Sequence, residues 1–290
     1  MNVLSLFDGM SCGQIALERA SIHVDRYYAS EVDKYAIQVT QQNHPNTIQL
    51  GDVTNWKEWD IDWSSIELLL GGSPCQGFSF AGKQLAFDDP RSKLFLVYVD
   101  ILNHIKSVNP NIKFLLENVR MKKEYLDIIS EQLGVGYTLI NSALVSAQNR
   151  NRFYWANWKF EQPDNKGTIL ADVIDDISEY TSSSEHNRYD LGINRIASAV
   201  DIKGHDYNKR VYDVYGKSPT LAAASGGNLE PKIVTTYGYR KLTPLECERL
   251  QTVPDNYTAS VSNRQRYRML GNGWTVDVIA HILKQLKETI

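Results

Sequence analysis

The sequence predicts an α/β fold with a mostly parallel sheet, joined to a smaller region that is rich in β structure. In the first half of the chain, strand-length apolar runs alternate with segments whose apolar residues recur at helical spacing. The apolar runs cover residues 3–6, 25–30, 47–50, 66–70 and 113–116. Strands and helices that alternate in this way form a parallel sheet with helices on both faces.

The helical patterns and the change of pattern along the chain predict two domains. Apolar residues at positions 94, 97, 98, 101, 102 and 105 mark the clearest helix of the first half. From about residue 181 to residue 259, short apolar runs are broken by glycine, proline and asparagine, which is typical of irregular β structure. A last helical pattern follows at 276–286. We therefore predict a main domain of residues 1–180 and 260–290, and a second domain of residues 181–259.

The composition is that of an ordinary globular protein, with 290 residues of which 42% are hydrophobic and 22% charged. No apolar run is long enough to span a bilayer, and the N-terminus lacks a signal-peptide pattern, so we expect a cytoplasmic protein without a membrane partner. The cysteines Cys12, Cys75 and Cys247 are far apart, which argues against a disulfide framework. No cysteine or histidine cluster has zinc-site spacing, so we expect no metal.

The net charge of −3 conceals two oppositely charged stretches. Residues 161–190 carry eight acidic and two basic side chains, a local net charge of −6. Residues 203–241 carry seven basic and three acidic side chains, a local net charge of +4. A basic stretch of this kind could face phosphate groups, although most charged stretches are only solvated surface.

Candidate site residues follow the predicted strands at the end where ligands bind in parallel sheets. They are Phe7, Glu31, Asp52, Cys75 and Glu117. Because the carboxyl ends of parallel strands meet at one edge of the sheet, we expect these five residues to share one crevice.

The first of these strand ends has the features of a nucleoside-binding site. Glycines in residues 7–13 let the backbone turn tightly and approach a ligand at a helix N-terminus. Glu31 lies about 20 residues further on, where a carboxylate holds ribose hydroxyls in such folds. Asp52 could accept a hydrogen bond from an adenine amino group. These features do not distinguish NAD from S-adenosylmethionine, but the missing G-x-G-x-x-G fingerprint disfavours NAD.

Cys75 and the segment 148–152 are candidates for the chemistry. A cysteine after an apolar strand is usually a buried small hydrophobe, but at a strand end it could be a nucleophile if a positive potential lowers its pKa. Glu117 would place a carboxyl group in the same crevice, although an isolated acid there is more often a cap. In an extended segment, Arg150 and Arg152 would point to one face and could grip a phosphate or a base carbonyl. A basic strand edge is the alternative.

Taken in order, these motifs resemble those of the cytosine-5 DNA methyltransferases, over most of the chain outside roughly 181–205. The matching pieces are LSLFDG, SEVDKYA, GGSPCQGFSFAGKQ, ENV, QNRNR, RKLTPLECERLQTVPD and LGNGW. The resemblance implies a Rossmann-like methyltransferase fold that binds S-adenosylmethionine. It also implies transfer of the methyl group to C5 of a cytosine in DNA.

The resemblance further implies roles for individual residues. Cys75 would attack C6 of a cytosine that is flipped out of the duplex, and Glu117 would hydrogen-bond N3 and the amino group of the base. Arg152, supported by Arg150, would hold the base carbonyl or its phosphate. The expected cofactor contacts are Phe7, Asp8, Gly9, Met10, Gly13, Glu31, Val32, Asp52, Val53, Gly72, Pro74, Leu94, Asn272 and Gly273.

Residues 181–259 occupy the place of the family's target-recognition domain. We expect residues 203–211 and 224–232 to read the major groove, and Arg264, Arg266 and Arg268 to contact phosphates. The expected partner is double-stranded DNA, with a cognate restriction endonuclease as a candidate second partner, and a monomer is the expected state.

Two rival functions stay open. A tRNA cytosine-5 methyltransferase would have the same fold, but the Cys-Phe-Thr element of that branch is not found in this sequence, and the branch lacks a sizeable target-recognition domain. The second rival is a catalytically inactive binding module, and the presence of Cys75, Glu117 and Arg152 argues against it.

Overall fold

The computed structural model of the protein divides into two compact units, each built from more than one stretch of the chain. The residues that the structure describes are 1–73, 93–175, 180, 190–193, 195–199, 201–203, 205–223 and 228–287. The first unit consists of Met1–Ile140, Asn151–Glu161 and Ile282–Ile290, and the second of Asn141–Arg150 and Gln162–His281. The second unit is wider than the predicted domain at 181–259. The assignment of DNA recognition to 181–259 concerns binding, so it stays a prediction.

A seven-stranded sheet organises the first unit. Its strands are β1 Asn2–Leu6, β2 Arg26–Ser30, β3 Ile48–Gln49, β4 Ile66–Gly71, β5 Lys113–Val119, β6 Tyr137–Asn141 and β7 Asn151–Ala156. They lie in the order β3-β2-β1-β4-β5-β7-β6. The strands from β3 to β5 in this order run parallel, and β7 runs antiparallel to β5. This arrangement confirms the predicted α/β fold with a mostly parallel sheet.

The described α-helices account for most of the remaining regular structure. They are α1 Cys12–Arg19, α2 Lys34–Asn43, α3 Lys93–Val108, α4 Lys123–Leu133, α5 Pro244–Leu250, α6 Asn263–Asn272 and α7 Val276–Lys287. On α3, the predicted apolar stripe is buried at Tyr98, Ile101, Leu102 and Ile105, and each such burial stabilises the fold by about 1.5–3 kcal/mol. No described helix has the length and apolar content that a membrane span needs.

Both faces of the central strands of the seven-stranded sheet are buried. Leu4 and Leu116 belong to one large apolar core together with the buried side of α3. Val3 and Leu115 point to the opposite face, because successive side chains of a strand alternate, and both are fully buried as well. A strand that is covered on both faces reads as a continuous apolar run, which explains why these strands were visible in the sequence.

Two strands differ in length from the sequence prediction. β5 continues to Val119 because β7 pairs with it, with Val119 opposite Arg152. Glu117 therefore lies inside a strand instead of beyond its end. β3 is reduced to Ile48–Gln49, which pair with Tyr28 and Ala29 of β2.

A four-stranded sheet organises part of the second unit. Its strands are β8 Arg195–Ser198, β9 Arg210–Tyr212, β10 Lys232–Thr235 and β11 Gly238–Lys241, in the order β11-β10-β9-β8. A small apolar core of Ala199, Ile202 and Val211 packs beside it. This sheet confirms the predicted smaller region of β structure.

The last turns of α7 complete the first unit. The indole Nε1 of Trp158 donates a hydrogen bond to the carbonyl of Ile282 at 3.1 Å, and the backbone N–H of Glu161 donates to the side chain of Gln285 at 2.9 Å. Ile282 and Leu286 have no exposed surface. A distant part of the sequence thus supplies apolar side chains to the unit that the N-terminal strands begin.

Candidate active site

The loop after β1 is held in an unusual backbone conformation. Phe7, Gly9 and Ser11 have φ angles of 57°, 60° and 60°, all in the left-handed region. Non-glycine residues rarely adopt this region, and each costs on the order of 1 kcal/mol unless the surroundings enforce it. The surroundings do so here: the N–H of Asp8 donates to the carbonyl of Ser30 at 3.1 Å. The loop is therefore tied to the end of β2, as the common crevice requires.

Asp8 anchors this loop through its side chain. Its carboxylate accepts hydrogen bonds from the hydroxyl of Tyr27, at 2.7 Å, and from that of Ser11. Burial raises the pKa of Asp8 to about 6 in spite of these hydrogen bonds. A carboxyl group so engaged supports the loop from within, and the expected cofactor contact at Asp8 stays a prediction.

Glu31 joins the ends of β1 and β2. Its carboxylate accepts the backbone N–H groups of Gly9, Val32 and Asp33, each at 2.8 Å. A carboxylate offers about four acceptor positions, so these three bonds leave room for one further donor. Beside it, Val32 is 69% exposed, which is unusual for a large aliphatic side chain. A hydrogen-bond acceptor and an apolar surface thus lie next to each other at this edge of the sheet.

Asp52 acts as a cap, which is a common structural role of an acidic residue at the end of a strand. It caps the 3-10 turn Val53–Glu58, and its Oδ1 accepts from the N–H and the hydroxyl of Thr54 at 2.9 and 2.8 Å. The cap uses one carboxylate oxygen of an exposed residue, so a second interaction through Oδ2 is geometrically open. Val53, which follows it, is buried.

Four further predicted cofactor residues lie in the first unit. Met10 and Gly13 are buried; Met10 lies in the loop before α1 and Gly13 in the first turn of this helix. Gly72 follows β4 and Leu94 lies in the first turn of α3; both are partly buried. Pro74 and the predicted nucleophile Cys75 lie outside the described residues.

The sequence reasoning missed a close contact between Gly71, the last residue of β4, and Tyr98 of α3. A Cβ atom at Gly71 would lie 2.7 Å from the ring of Tyr98, so only glycine fits at the end of β4. The hydroxyl of Tyr98 is buried and has no hydrogen-bond partner among the described residues, and burial raises its pKa. The sequence feature that could have revealed this contact is the pair of glycines, Gly71 and Gly72, that follows the apolar run.

Glu117 and Arg152 form an ion pair where β5 and β7 run side by side. Arg152 Nε lies 2.9 Å from Glu117 Oε1, and the two side chains are only 13% and 10% exposed. The strand register explains the contact, because Val119 opposes Arg152 and lies two residues from Glu117, on the same face. A charge-assisted pair held by two strands presents a carboxylate and a guanidinium at one place.

Asn118 links this pair to the segment that precedes Cys75. Its amide Nδ2 donates to the hydroxyl of Ser73 at 3.2 Å, and its Oδ1 accepts the N–H of Val119 at 2.8 Å. Asn118 and Ser73 are both buried. The contact holds the last described residue before Pro74 against β5, a role for Asn118 that the ENV motif alone did not reveal.

Comparisons with known proteins identify the family of the chain. A family model for C-5 cytosine-specific DNA methylases matches residues 1–288. The chain belongs to this family. The family uses S-adenosylmethionine, so the protein is an S-adenosylmethionine-dependent methyltransferase, and the resemblance stated above is confirmed.

Named relatives of this methylase cover almost its whole length. The type II methyltransferase M.NlaX of Neisseria lactamica is 30% identical over 99% of the chain and 96% of that protein. The type II methyltransferase M.HhaI of Haemophilus parahaemolyticus is 28% identical over 97% and 93%. A solved DNMT2 structure from Spodoptera frugiperda is 19% identical, covers 99% of both chains and has a TM-score of 0.67. The last comparison shows a shared fold.

In the second unit of the methylase, Arg150 is a buried hub. It is 2% exposed, and its guanidinium donates to the carbonyls of Leu221, Gly271 and Gly273 at 3.2, 3.0 and 2.9 Å. A Cβ atom at Gly271 would lie 2.1 Å from the carbonyl oxygen of Ala222, so these backbones are in close contact. Arg150 therefore fixes the segment that contains Asn272 and Gly273, and these contacts favour a supporting role.

Gln148 and Gln251 extend this buried network. Gln148 accepts the N–H of Leu221 at 2.8 Å and donates to Gln251 Oε1 at 3.1 Å. Gln251 in turn donates to the carbonyls of Leu270 and Gly273 at 2.6 and 3.2 Å. β7 begins at Asn151, and Gln148 forms a parallel bridge with Ser218 before it, so the expectation that the side chains at 148, 150 and 152 share one face stays a prediction. The role of Gln251 was not predicted, although it lies inside the matching motif RKLTPLECERLQTVPD.

The basic stretch at 203–241 is less available to phosphates than its charge suggested. Lys217 and Lys232 are buried, and their ammonium groups donate to three and two backbone carbonyls. Arg240 pairs with a buried glutamate at 2.6 Å, and Lys241 pairs with another acid at 3.0 Å. Lys217 and Lys232 are therefore not accessible to phosphates, and contact of the other cations of the stretch with DNA stays a prediction.

Arg266 also differs from its predicted role as a phosphate contact. Its side chain is 12% exposed and donates to Thr258 Oγ1 at 2.9 Å and to Glu248 Oε1 at 3.1 Å. Glu248 has no exposed surface, so its charge needs this partner. Arg264 and Arg268 are exposed and stay predicted phosphate contacts.

Proposed function

We propose that this methylase transfers a methyl group from S-adenosylmethionine to C5 of a cytosine that is flipped out of a specific duplex DNA sequence. The observation that carries the proposal is the Glu117–Arg152 pair, an almost buried acceptor and donor at one place on adjacent strands. Such a pair suits the edge of one pyrimidine better than a stacked duplex, in which that edge is occupied. The names of M.NlaX and M.HhaI support methylation as part of type II systems.

In the proposed mechanism, the chain supplies the nucleophile and the groups that hold the base. The thiolate of Cys75 attacks C6 and forms an S–C6 bond. Glu117, in its protonated form, donates its O–H to N3, accepts from the amino group with its other oxygen, and so stabilises the negative charge that develops on the ring. Arg152 keeps Glu117 in place and holds the base carbonyl. S-adenosylmethionine, when bound, supplies the methyl group that C5 receives. The C5 proton is then lost to water, the S–C6 bond breaks, and the thiolate of Cys75 is regenerated.

The residues at the ends of β1, β2 and β3 fit an adenosine-containing cofactor. The free acceptor position of Glu31 suits a ribose hydroxyl, and the exposed Val32 offers an apolar surface for a purine ring. The Oδ2 of Asp52 would accept from the adenine amino group. We propose that Phe7 and Gly9 complete the site through the strained loop, whose backbone a bound cofactor would approach closely.

We propose a supporting role for Arg150 in place of the contact with DNA that the sequence suggested. Its guanidinium would position Asn272 and Gly273, the expected cofactor residues of the second unit. DNA recognition is assigned to residues 181–259, and catalysis to 1–180 with 260–290. Double-stranded DNA is the proposed partner, a cognate endonuclease is a candidate partner, and the proposed state is a monomer.

A transfer assay with labelled S-adenosylmethionine tests the proposal. The wild-type protein should methylate duplex DNA at C5 of cytosine, and Cys75→Ala should abolish the transfer while duplex binding is kept. Cys247→Ala is the matched control, because this cysteine is buried in α5 and burial raises the pKa of its thiol. Duplex DNA that contains 5-fluorocytosine should trap a covalent adduct with the wild type and none with Cys75→Ala. Substantial transfer by Cys75→Ala would contradict the mechanism.

A tRNA cytosine-5 methyltransferase is the second candidate. The observation that keeps it open is the DNMT2 structure, which shares the fold along the whole chain. The same assay with tRNA in place of duplex DNA separates the two functions. Transfer to tRNA but not to duplex DNA would replace the first proposal by the second.

A further inference from the structure

Two arginines and one aspartate form an exposed cluster at the edge strand of the four-stranded sheet. This Arg-Asp cluster consists of Arg195 on β8, Asp206 at the start of the 3-10 turn Asp206–Lys209, and Arg210 at the start of β9. The three side chains are 40%, 56% and 38% exposed. Since ion pairs this exposed contribute little to folding stability, stability alone does not account for the arrangement.

The geometry of the cluster holds the side chain of Arg210 in one orientation. Arg210 directs Nε and Nη2 to Asp206 Oδ2, both at 2.9 Å. Arg195 binds the same carboxylate from another side, with Nη2 at 2.8 Å from Oδ1 and Nη1 at 3.2 Å from Oδ2, and it donates to Ser198 at 2.6 Å. The ring of Tyr207 lies under the Arg210 guanidinium, 5.5 Å from its centre. Asp206 and Tyr207 thus restrain the plane of this guanidinium, and the hydroxyl of the buried Tyr212 is a further hydrogen-bond partner of Arg210.

The N–H groups of Arg210 that Asp206 does not engage have a defined direction. A guanidinium carries five N–H groups, and Asp206 occupies the Nε and Nη2 side, so the Nη1 side is not held by the aspartate. A phosphate contact needs only a cation, and a carboxylate beside it would weaken the attraction. Hydrogen bonding to the edge of a base is instead more favourable for a planar donor group whose orientation is fixed before binding.

We propose that Arg210 reads a guanine of the recognition sequence through O6 and N7 in the major groove, with Asp206 and Arg195 as positioning residues. The proposal rests on the proposed DNA function and names one contact within it. Arginine to guanine is the commonest specific contact in the major groove, because the two donors match the two acceptors. Asp206 and Arg210 lie within 203–211, whereas Arg195 was not singled out by the sequence.

The experiment removes a single acceptor atom from the DNA. Bisulfite sequencing of a methylated random library first defines the sequence that the wild type recognises. Synthetic duplexes of that sequence are then made with one guanine at a time replaced by 7-deazaguanine, which lacks the N7 acceptor. Rates are compared for wild type, Arg210→Ala, Asp206→Asn and the cation control Arg264→Ala, whose side chain is exposed and is an expected phosphate contact outside 203–211.

The expected result is specific to one base position. Wild type should be slowed about 5-fold or more by 7-deazaguanine at one guanine, and Arg210→Ala should show a ratio near 1 there. Asp206→Asn, which keeps the size of the side chain, should reduce the same ratio, an effect that a general loss of stability would not produce. Arg264→Ala should lower the rates on both duplexes equally and leave the ratio intact.

Three outcomes would overturn the inference. One is a recognition sequence in which no guanine is sensitive to the loss of N7. Another is an Arg210→Ala variant that keeps the wild-type ratio and only shows a weaker salt dependence of binding, which would identify a phosphate contact. If the wild type methylates no DNA of the library, the proposed function itself is contradicted and the inference falls with it.

Discussion

Replacing Asp8 by asparagine should make the stability of the protein less dependent on pH. Burial raises the pKa of Asp8 to about 6 from its ordinary value of 3.8, so the folded state holds this proton more tightly than the unfolded state. Between these two pH values the folded state binds more protons, and its stability therefore falls as the pH rises through the window. Above the folded-state pKa the full cost of burying the charge is present, and asparagine removes that cost.

The size of the effect follows from the shift in pKa. A difference of about 2 pKa units corresponds to about 3 kcal/mol over the whole window, of which about 2 kcal/mol falls between pH 4.5 and pH 8. Asparagine can still accept from Tyr27 and can donate to Ser11, so altered hydrogen bonds add an offset that does not depend on pH. The relevant quantity is thus the change with pH of the difference between variant and wild type.

Urea unfolding at a series of pH values measures this quantity. The stability of Asp8→Asn relative to wild type should increase from pH 4.5 to pH 8 by up to about 2 kcal/mol. Asp100→Asn, which removes an exposed carboxylate from α3, controls for the loss of one negative charge. A relative stability that is constant over this range, or that decreases with pH, would refute the reasoning.

Further variants test the other contacts. Glu117→Gln can still accept from Arg152 but cannot give a proton to N3, so kcat should fall by about 100-fold or more with little loss of stability in urea; near-wild-type kcat would contradict the role of Glu117. Arg150→Lys replaces two separate donor nitrogens, Nη1 and Nη2, by a single ammonium on a shorter side chain, so it should lose at least about 2 kcal/mol of stability and raise KM for S-adenosylmethionine, and an unchanged urea midpoint would argue against the hub. Gly271→Ala should cost about 1–3 kcal/mol because its Cβ would meet a backbone oxygen, whereas a stable variant would show that the backbones can separate. Val32→Ala should leave stability within about 0.5 kcal/mol and raise KM for S-adenosylmethionine, and equal KM values would argue against the purine surface.

The sequence predicted the sheet and several residues of the site because local signals decide both. Strands that are buried on both faces appear as apolar runs, and parallel strands bring their carboxyl ends to one edge. Glu31 could be placed on that basis, and its contact with the N–H of Gly9 joins two strand ends as expected. The length of β5 could not be predicted, because it depends on pairing with β7, about 35 residues later.

The fates of individual charged residues could not be predicted because distant partners decide them. Arg150 and Arg152 are two positions apart in one motif, yet one donates to carbonyls near residues 221 and 271–273 while the other pairs with Glu117. Lys217 and Lys232 contribute to the basic character of 203–241, but backbone carbonyls hold both in the interior. A count of charged residues suggests that such side chains lie on the surface. Only the tertiary structure shows which of them are accessible to solvent.

The contribution of α7 to the first unit has a consequence for synthesis on the ribosome. Trp158 and Glu161 find their partners at Ile282 and Gln285, more than 120 residues later. A nascent chain that has produced all the strands of the large sheet must therefore wait for the whole second unit to emerge before its interior can close. Until then the apolar side of this interior is open to chaperones, and a prematurely terminated chain would be a substrate for proteolysis. The interior of the first unit is thus complete only after translation has passed Leu286.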